Sequence, residues 1–285
     1  MALDIRRFFS TTLLGGYGLL VLGLPLAGLG YALLGSLGLA GPLAAGFTPR
    51  YWLALGANAG LLYSALFSTW VALVSVGVSV ALALSLVLRA QPTLRRWPLP
   101  GLLYVPLLLP ALVLAFCLFQ LLSGAGWLAR LSYGLEWIGS PADFPELVQD
   151  SAGLGIILAQ VLLTFPFLTL LLQAIYQESR LDELRQLSST LGASAGQFRG
   201  RVAVPLLLRR AAPTLLLNFI ATLGAYDVPL LLGRPHPQML SVFVATRQQF
   251  DLRELPMGYL AGFLVALGLL ALIGILIKLT RRHAL

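Results

Sequence analysis

The chain has 285 residues, of which 58% are hydrophobic and only 11% charged, with a mean hydropathy of +0.88 and a formal net charge of +8. A soluble domain carries roughly a quarter charged residues, so water is not the principal solvent for this chain. The basic surplus sits in short gaps between apolar runs and not on a basic face interleaved with aromatics, which excludes nucleic acid as the natural partner. Cys117 is the single cysteine, so no internal disulfide forms, and His236 and His283 are too far apart in sequence to read as a metal pair.

Apolar runs fall at about 11–36, 58–88, 98–122, 152–176, 211–232 and 257–279. Each meets the roughly 20 residues that a helix needs to cross a bilayer core of about 30 Å. Backbone groups in lipid are satisfied within a helix, and runs this long and uniform do not suit the alternating strands of a barrel. The expectation is an all-α polytopic membrane protein with six spans, forming one transmembrane domain over 1–285. No repeat of 20–50 residues divides it. Arg6 and Arg7 ahead of the first run, with small residues near Ala44, also fit a cleaved leader. The run is longer than the apolar core of such a leader, and its removal leaves five spans, so a first span is favoured.

Orientation follows from the basic residues. One side holds Arg6, Arg7, Arg89, Arg95, Arg96, Arg180, Arg185, Arg199, Arg201, Arg209, Arg210, Lys278, Arg281 and Arg282. The other holds Arg50, Arg130, Arg234, Arg247 and Arg253, a split of 14 against 5. With six spans, both termini are expected to be cytoplasmic in an inner membrane.

The segment 177–210 is the most informative. Leu181, Leu184, Leu187 and Leu191 recur at helical spacing. Gly192 then permits a chain reversal that residues with a Cβ resist, and a second short helix is expected among Ala193 to Phe198. Pro205 and Pro213 punctuate the approach to the fifth span. As a charge run alone, this is a solvated connector. The ordered string, however, resembles the cytoplasmic signature of ABC importer permeases: Glu-Ala-Ala, three residues, Gly, and a hydrophobic-x-hydrophobic-Pro ending. Gly192 matches the glycine, Val202 and Val204 the hydrophobic pair, and Pro205 the proline, while Asp182-Glu183-Leu184 and Gly192-Ala193-Ser194 are similar to the flanking residues.

The resemblance covers about 58–279 and implies a permease core there. It implies that the segment is a coupling helix seated in a groove of a cytoplasmic ABC ATPase dimer, with Ser188, Leu191, Gly192, Ala193, Ser194, Phe198 and Pro205 as docking residues. It also implies a second permease subunit, identical or not, and an extracytoplasmic solute-binding protein. ATP then belongs to the partner ATPase; this chain is not itself an enzyme and binds no cofactor. The absence of a G-x-x-x-x-G-K-[ST] string agrees with that division. Two departures stand out. Gln186-Leu187-Ser188 replaces Glu-Ala-Ala, and Phe198 sits about one position earlier than the family's aromatic.

The stretch Leu223-Gly224-Ala225-Tyr226-Asp227-Val228-Pro229 resembles the end of span five in permeases for polyamines, ferric iron, thiamine and phosphonates. Gly224 and Pro229 loosen a helix and free backbone groups, which is tolerated beside a cavity or the protein interior. Gly224, Tyr226, Asp227 and Pro229 are therefore candidate pathway or gate residues. Asp227 is the acidic residue set well inside an apolar run; it reads equally as a pathway group or as a residue at the outer interface.

Other features carry less. Pro106, Pro110 and Pro166 are candidate kinks, and Trp52, Trp127 and Trp137 fit interfacial belts. The loop containing Trp127, Leu131, Leu135 and Trp137 suits interfacial packing better than contact with a binding protein. An ion-coupled secondary transporter is the alternative, although it usually shows inverted repeats and several intramembrane ionisable groups. A membrane hydrolase lacks a histidine inside any span to serve as base.

Overall fold

A computed structural model describes residues 2–42, 44, 46–54, 59–90, 99–249 and 255–281. The helices are α1 (Ala2–Ser36), α2 (Arg50–Ala54), α3 (Ala59–Arg89), α4 (Leu99–Leu108), α5 (Ala111–Leu122) and α6 (Trp127–Gly134). They continue as α7 (Leu154–Glu178), α8 (Leu181–Thr190), α9 (Ala195–Phe198), α10 (Val204–Leu223), α11 (Asp227–Leu232), α12 (Leu240–Gln249) and α13 (Leu255–Arg281). Among the described residues no strand occurs, and six helical stretches are long and apolar enough to cross a membrane. These are Gly16–Ser36, Ala59–Arg89, Ala111–Gly134, Leu154–Glu178, Ala195–Leu223 and Leu255–Gly274. The chain is thus an all-α polytopic membrane protein. Arg95, Arg96, Arg253 and Arg282, used above to orient it, lie outside the described residues.

Two expected boundaries change. The run 98–122 is two helices and not one span, because Pro110 offers no N–H and disfavours helical backbone at Leu109; Pro110 itself is extended, with ψ 141°. Pro106 and Pro166 stay inside α4 and α7. The fifth run, expected over 211–232, instead begins as helix at Val204 and stops at Leu223. Pro205, which has no N–H to donate, lies just after the widened turn Arg199–Ala203, where the i→i−4 pattern is already interrupted. Arg209 and Arg210, expected in the connector, are helical and exposed, as long basic side chains at a span end can be.

The chain packs as two units. The first combines residues up to Leu61 with Phe243–Ala271. There Trp52 donates its indole N–H to Ser36 Oγ at 3.1 Å, and its ring meets Phe263 edge-on at 6.3 Å. Tyr31 and Tyr259 likewise pack edge to face, 5.6 Å apart.

The second unit, built mainly from Leu62–Val242, has two cores at opposite ends of α3 and α7. One joins Ala83 and Val87 of α3 with Leu103 of α4, Leu168, Leu172, Ile175 and Tyr176 of α7, and Leu207 and Ala211 of α10. The other joins Phe67 and Val71 of α3 with Ala115, Leu118 and Leu122 of α5, Ile156 and Ala159 of α7, and Val228 and Leu232 of α11. Along these helices α3 buries Ser64, Ser68, Ser75 and Ser79, and α7 buries Gln160, Thr164 and Thr169. Lipid tails are as apolar as leucine, so helices in a membrane associate through close packing of small residues and internal hydrogen bonds. Ser79 donates to the Ser75 carbonyl at 2.7 Å, and Ser68 Oγ accepts the Leu240 N–H at 2.7 Å, fastening the chain after α11 to α3.

Candidate functional site

At the first core, α7 ends and the chain turns sharply. Arg180 adopts the left-handed conformation (φ 47°, ψ 43°), the position usually given to glycine after a helix. Helix α8 follows, with Asp182 and Glu183 in its first turn, where the helix dipole favours negative charge. Leu181 is fully buried in the core, and Tyr176 donates its hydroxyl to Asp182 Oδ1 at 2.9 Å. Exposure then climbs along the leucine stripe, from 39% at Leu184 to 63% at Leu187 and 82% at Leu191. Helix α8 therefore leaves the bundle, its root buried and its tip exposed.

The tip reverses at Gly192, whose φ of +80° is one that an L side chain rarely adopts. The Gly192 N–H bonds the Ser189 carbonyl and the Ala193 N–H bonds the Ser188 carbonyl, each at 3.0 Å, the paired closure that ends many helices. Ser194 starts α9 through a reciprocal cap: the Gln197 N–H donates to Ser194 Oγ at 3.2 Å and the Ser194 N–H to Gln197 Oε1 at 2.9 Å. Phe198 returns to the core at 4% exposure. A widened helical turn, Arg199–Ala203, then runs directly into α10, with Ala203 buried. Residues 181–203 form an elbow fixed at both roots.

The expected docking residues are thus divided. Leu191, Gly192 and Ser194 are exposed at the tip, with Ser188 and Ala193 half-buried behind them. Phe198 is instead an anchor inside the core, and Pro205 is exposed at the start of α10. Leu187 joins the tip; its place in the leucine pattern was visible in sequence, but its exposure was not.

The second expected site lies at the opposite core. Helix α10 stops at Leu223, and Gly224, Ala225 and Tyr226 lead into α11, which Asp227 opens. Val228, Pro229 and Leu232 are buried, Val228 and Leu232 in the core that α5 and α7 build, whereas Asp227 and Gly224 are exposed and Tyr226 is half-buried. The carbonyl of Ala225, freed by the break, accepts a hydrogen bond from Ser241 Oγ. The Gln149 N–H reaches the Leu232 carbonyl at 2.8 Å at the far end of α11. A broken segment is thus held in place with these backbone carbonyls satisfied, as an apolar medium requires. Pro229 lies in the first turn of α11 and does not cause the break, which falls at 224–226. Among the described residues no cluster of His, Cys, Asp or Glu is suited to a metal.

Residues 75–283 match the family described as the binding-protein-dependent transport system inner membrane component. The chain belongs to that family. The match takes in both the elbow and the 224–232 break of this permease, and it selects the ABC importer reading over an ion-coupled carrier. The permease is 32% identical over 182 residues to the thiamine transport system permease protein ThiP of Salmonella typhimurium, an alignment covering 61% of this chain and 32% of that protein. The chain therefore spans about a third of the length of this curated relative. Two solved structures share its fold. One is a bacterial ABC transporter involved in the import of the acidic polysaccharide alginate, with TM-score 0.70, 17% identity, and coverage of 98% of this chain and 97% of that one. The other is the bacterial alginate ABC transporter in complex with alginate pentasaccharide-bound periplasmic protein, with TM-score 0.69, 18% identity, and coverage of 98% and 96%.

Proposed function

We propose that this permease is a membrane subunit of an ATP-driven importer, and that the 181–203 elbow is where it receives work from a cytoplasmic ATPase dimer. The observation that carries this reading is the elbow tip. Leu187 and Leu191 stand exposed on a protrusion whose roots are buried and whose turns are capped, so its shape is fixed in advance of any partner. Large apolar side chains presented together in this way favour a protein contact. ATP is bound and hydrolysed on the partner, and this chain supplies the path. A second permease subunit, the same or different, completes that path. An extracytoplasmic solute-binding protein delivers the solute; the alginate transporter of the same fold is found in complex with such a protein, loaded with alginate pentasaccharide. The path opens alternately to each side, with the 224–229 segment near its outer gate. The 14-to-5 division of basic residues supports cytoplasmic termini.

The test is co-purification. The permease expressed with an ABC ATPase of its own organism is expected to retain that ATPase through affinity capture in detergent. Capture of the permease alone, from membranes containing both proteins, overturns the reading.

A further inference from the structure

A push on the elbow tip can enter the bundle at either root, through Phe198 and Ala203 into α10 or across the joint between α8 and α7, and only the second route leads along α7. That joint is two non-helical residues, Ser179 and Arg180, the second in a left-handed conformation that side chains other than glycine adopt uncommonly. Helix α8 extends about 15 Å beyond it, at 1.5 Å per residue. A lever on so short a joint pivots there unless something bridges it.

Among the described residues several contacts lie at the joint, and two of them, at Leu181 and between Tyr176 and Asp182, join α7 to α8. The Arg180–Glu183 pair, at 3.8 Å, and the Glu178–Arg210 pair, at 3.5 Å, have exposed partners, and exposed ion pairs contribute little and hold no fixed geometry. Leu181 is fully buried and fixes the position of the root, but its apolar packing carries no directional bond that sets the angle between the two helices. The other contact is the hydrogen bond from the Tyr176 hydroxyl to Asp182 Oδ1. It is directional and runs from the last turn of α7 to the first turn of α8. Its donor is rigid, because Tyr176 is only 3% exposed and wedged in the core with Leu172, Ile175 and Phe198. From there α7 is continuous to Ile156 and Ala159, which share the second core with Val228 and Leu232 of α11.

We infer that Tyr176 and Asp182 are positioning residues for transport: their hydrogen bond locks α8 to α7, so that displacement of the elbow tip reaches α11 and the break before it. This rests on the importer reading above. Removing the hydroxyl leaves α8 folded and able to dock, because its tip residues and its caps are untouched, but lets it pivot about Arg180 and move α7 less.

The reporter for the test is Leu230→Cys, on the exposed side of α11, in a Cys117→Ser background. Its labelling by a water-soluble maleimide is followed in the permease–ATPase complex in nanodiscs, with no nucleotide and with ATP plus orthovanadate. In the otherwise unaltered complex the labelling rate is expected to change on the order of fivefold or more, the low end of ordinary coupling between sites. Tyr176→Phe is expected to reduce that change severalfold while ATPase retention and ATP hydrolysis persist. Asp182→Asn, which keeps an oxygen to accept the hydroxyl proton, is expected to preserve most of it. A full response in Tyr176→Phe overturns the inference, as does loss of the ATPase from that variant, since the pair would then serve docking. A reporter that never responds with ATPase bound also overturns it. Failure of the unaltered permease to retain any ATPase instead overturns the importer reading.

Discussion

The two ends of the α3–α7 pair are built from the same kinds of side chain and support opposite kinds of element. At one end Leu172, Ile175, Leu181 and Phe198 bury the roots of a protrusion whose tip carries exposed Leu187 and Leu191. At the other, Phe67, Leu118 and Ile156 enclose Val228 and Leu232, so that a broken helix is drawn into the core while Asp227, Leu230 and Gly224 are left outside. Burial fixes position in both cases, and what is left exposed differs. An exposed apolar tip calls for a partner, whereas an exposed carboxylate beside satisfied backbone calls for water or solute. On the function proposed above, the first is the contact that receives force and the second the frame of the path, and α3 and α7 join the two.

The sharpest way to break this comparison is to alter the tip without touching its root. Gly192→Asp is expected to abolish ATP-coupled uptake while leaving membrane insertion and yield intact. A Cβ at Gly192 meets no atom within 4 Å, so the fold has room for the change. What is introduced is a charge at the docking turn and a left-handed strain of about 1–2 kcal/mol. Uptake at the normal rate in reconstituted vesicles removes the elbow from the energy path.

Opening a void in each of the two cores gives the next largest effect. Leu181→Ala and Leu232→Ala each empty a fully buried position, with an expected loss of about 2–5 kcal/mol in thermal unfolding of the detergent-solubilised protein. Leu181→Ala is further expected to speed proteolysis within 181–203 and to weaken ATPase capture, whereas Leu232→Ala is expected to leave capture unchanged. Equal loss of capture from both variants means that the two ends are not separable.

The smallest effect sharpens the far end. Asp227→Asn keeps size and removes charge, and is expected to lower uptake of a cationic solute severalfold with little change in assembled protein. A carboxylate facing hydrocarbon at mid-bilayer would cost about 2.5–3.5 kcal/mol, so a gain in stability of that size on neutralisation would place Asp227 against lipid. Unchanged uptake of every cationic solute tested removes Asp227 from substrate contact.

Much of this architecture is a local property of the chain. Apolar length defines the spans, because a helix in lipid must satisfy its own backbone and the core thickness sets how long it is. The elbow's turns are equally local: Gly192 takes its left-handed value, and Ser194 and Gln197 cap each other, through contacts no more than a few residues apart. Even the split at Pro110 follows from one ring and its neighbour, although reading the run 98–122 for hydrophobicity alone joins it into a single span. Tertiary structure decided which faces of these elements are covered. Phe198 reads in sequence as a docking aromatic and is a core anchor, while Leu187 reads as an ordinary stripe position and is exposed, because the bundle encloses only the base of α8. The serines of α3 belong to no sequence motif, and only packing makes them a buried seam. Tyr176 and Asp182 are six residues apart across a left-handed turn, a spacing that no helical period brings together, so their hydrogen bond depends on the turn at Arg180 and the burial of Leu181, which set the first turn of α8 beside the last turn of α7.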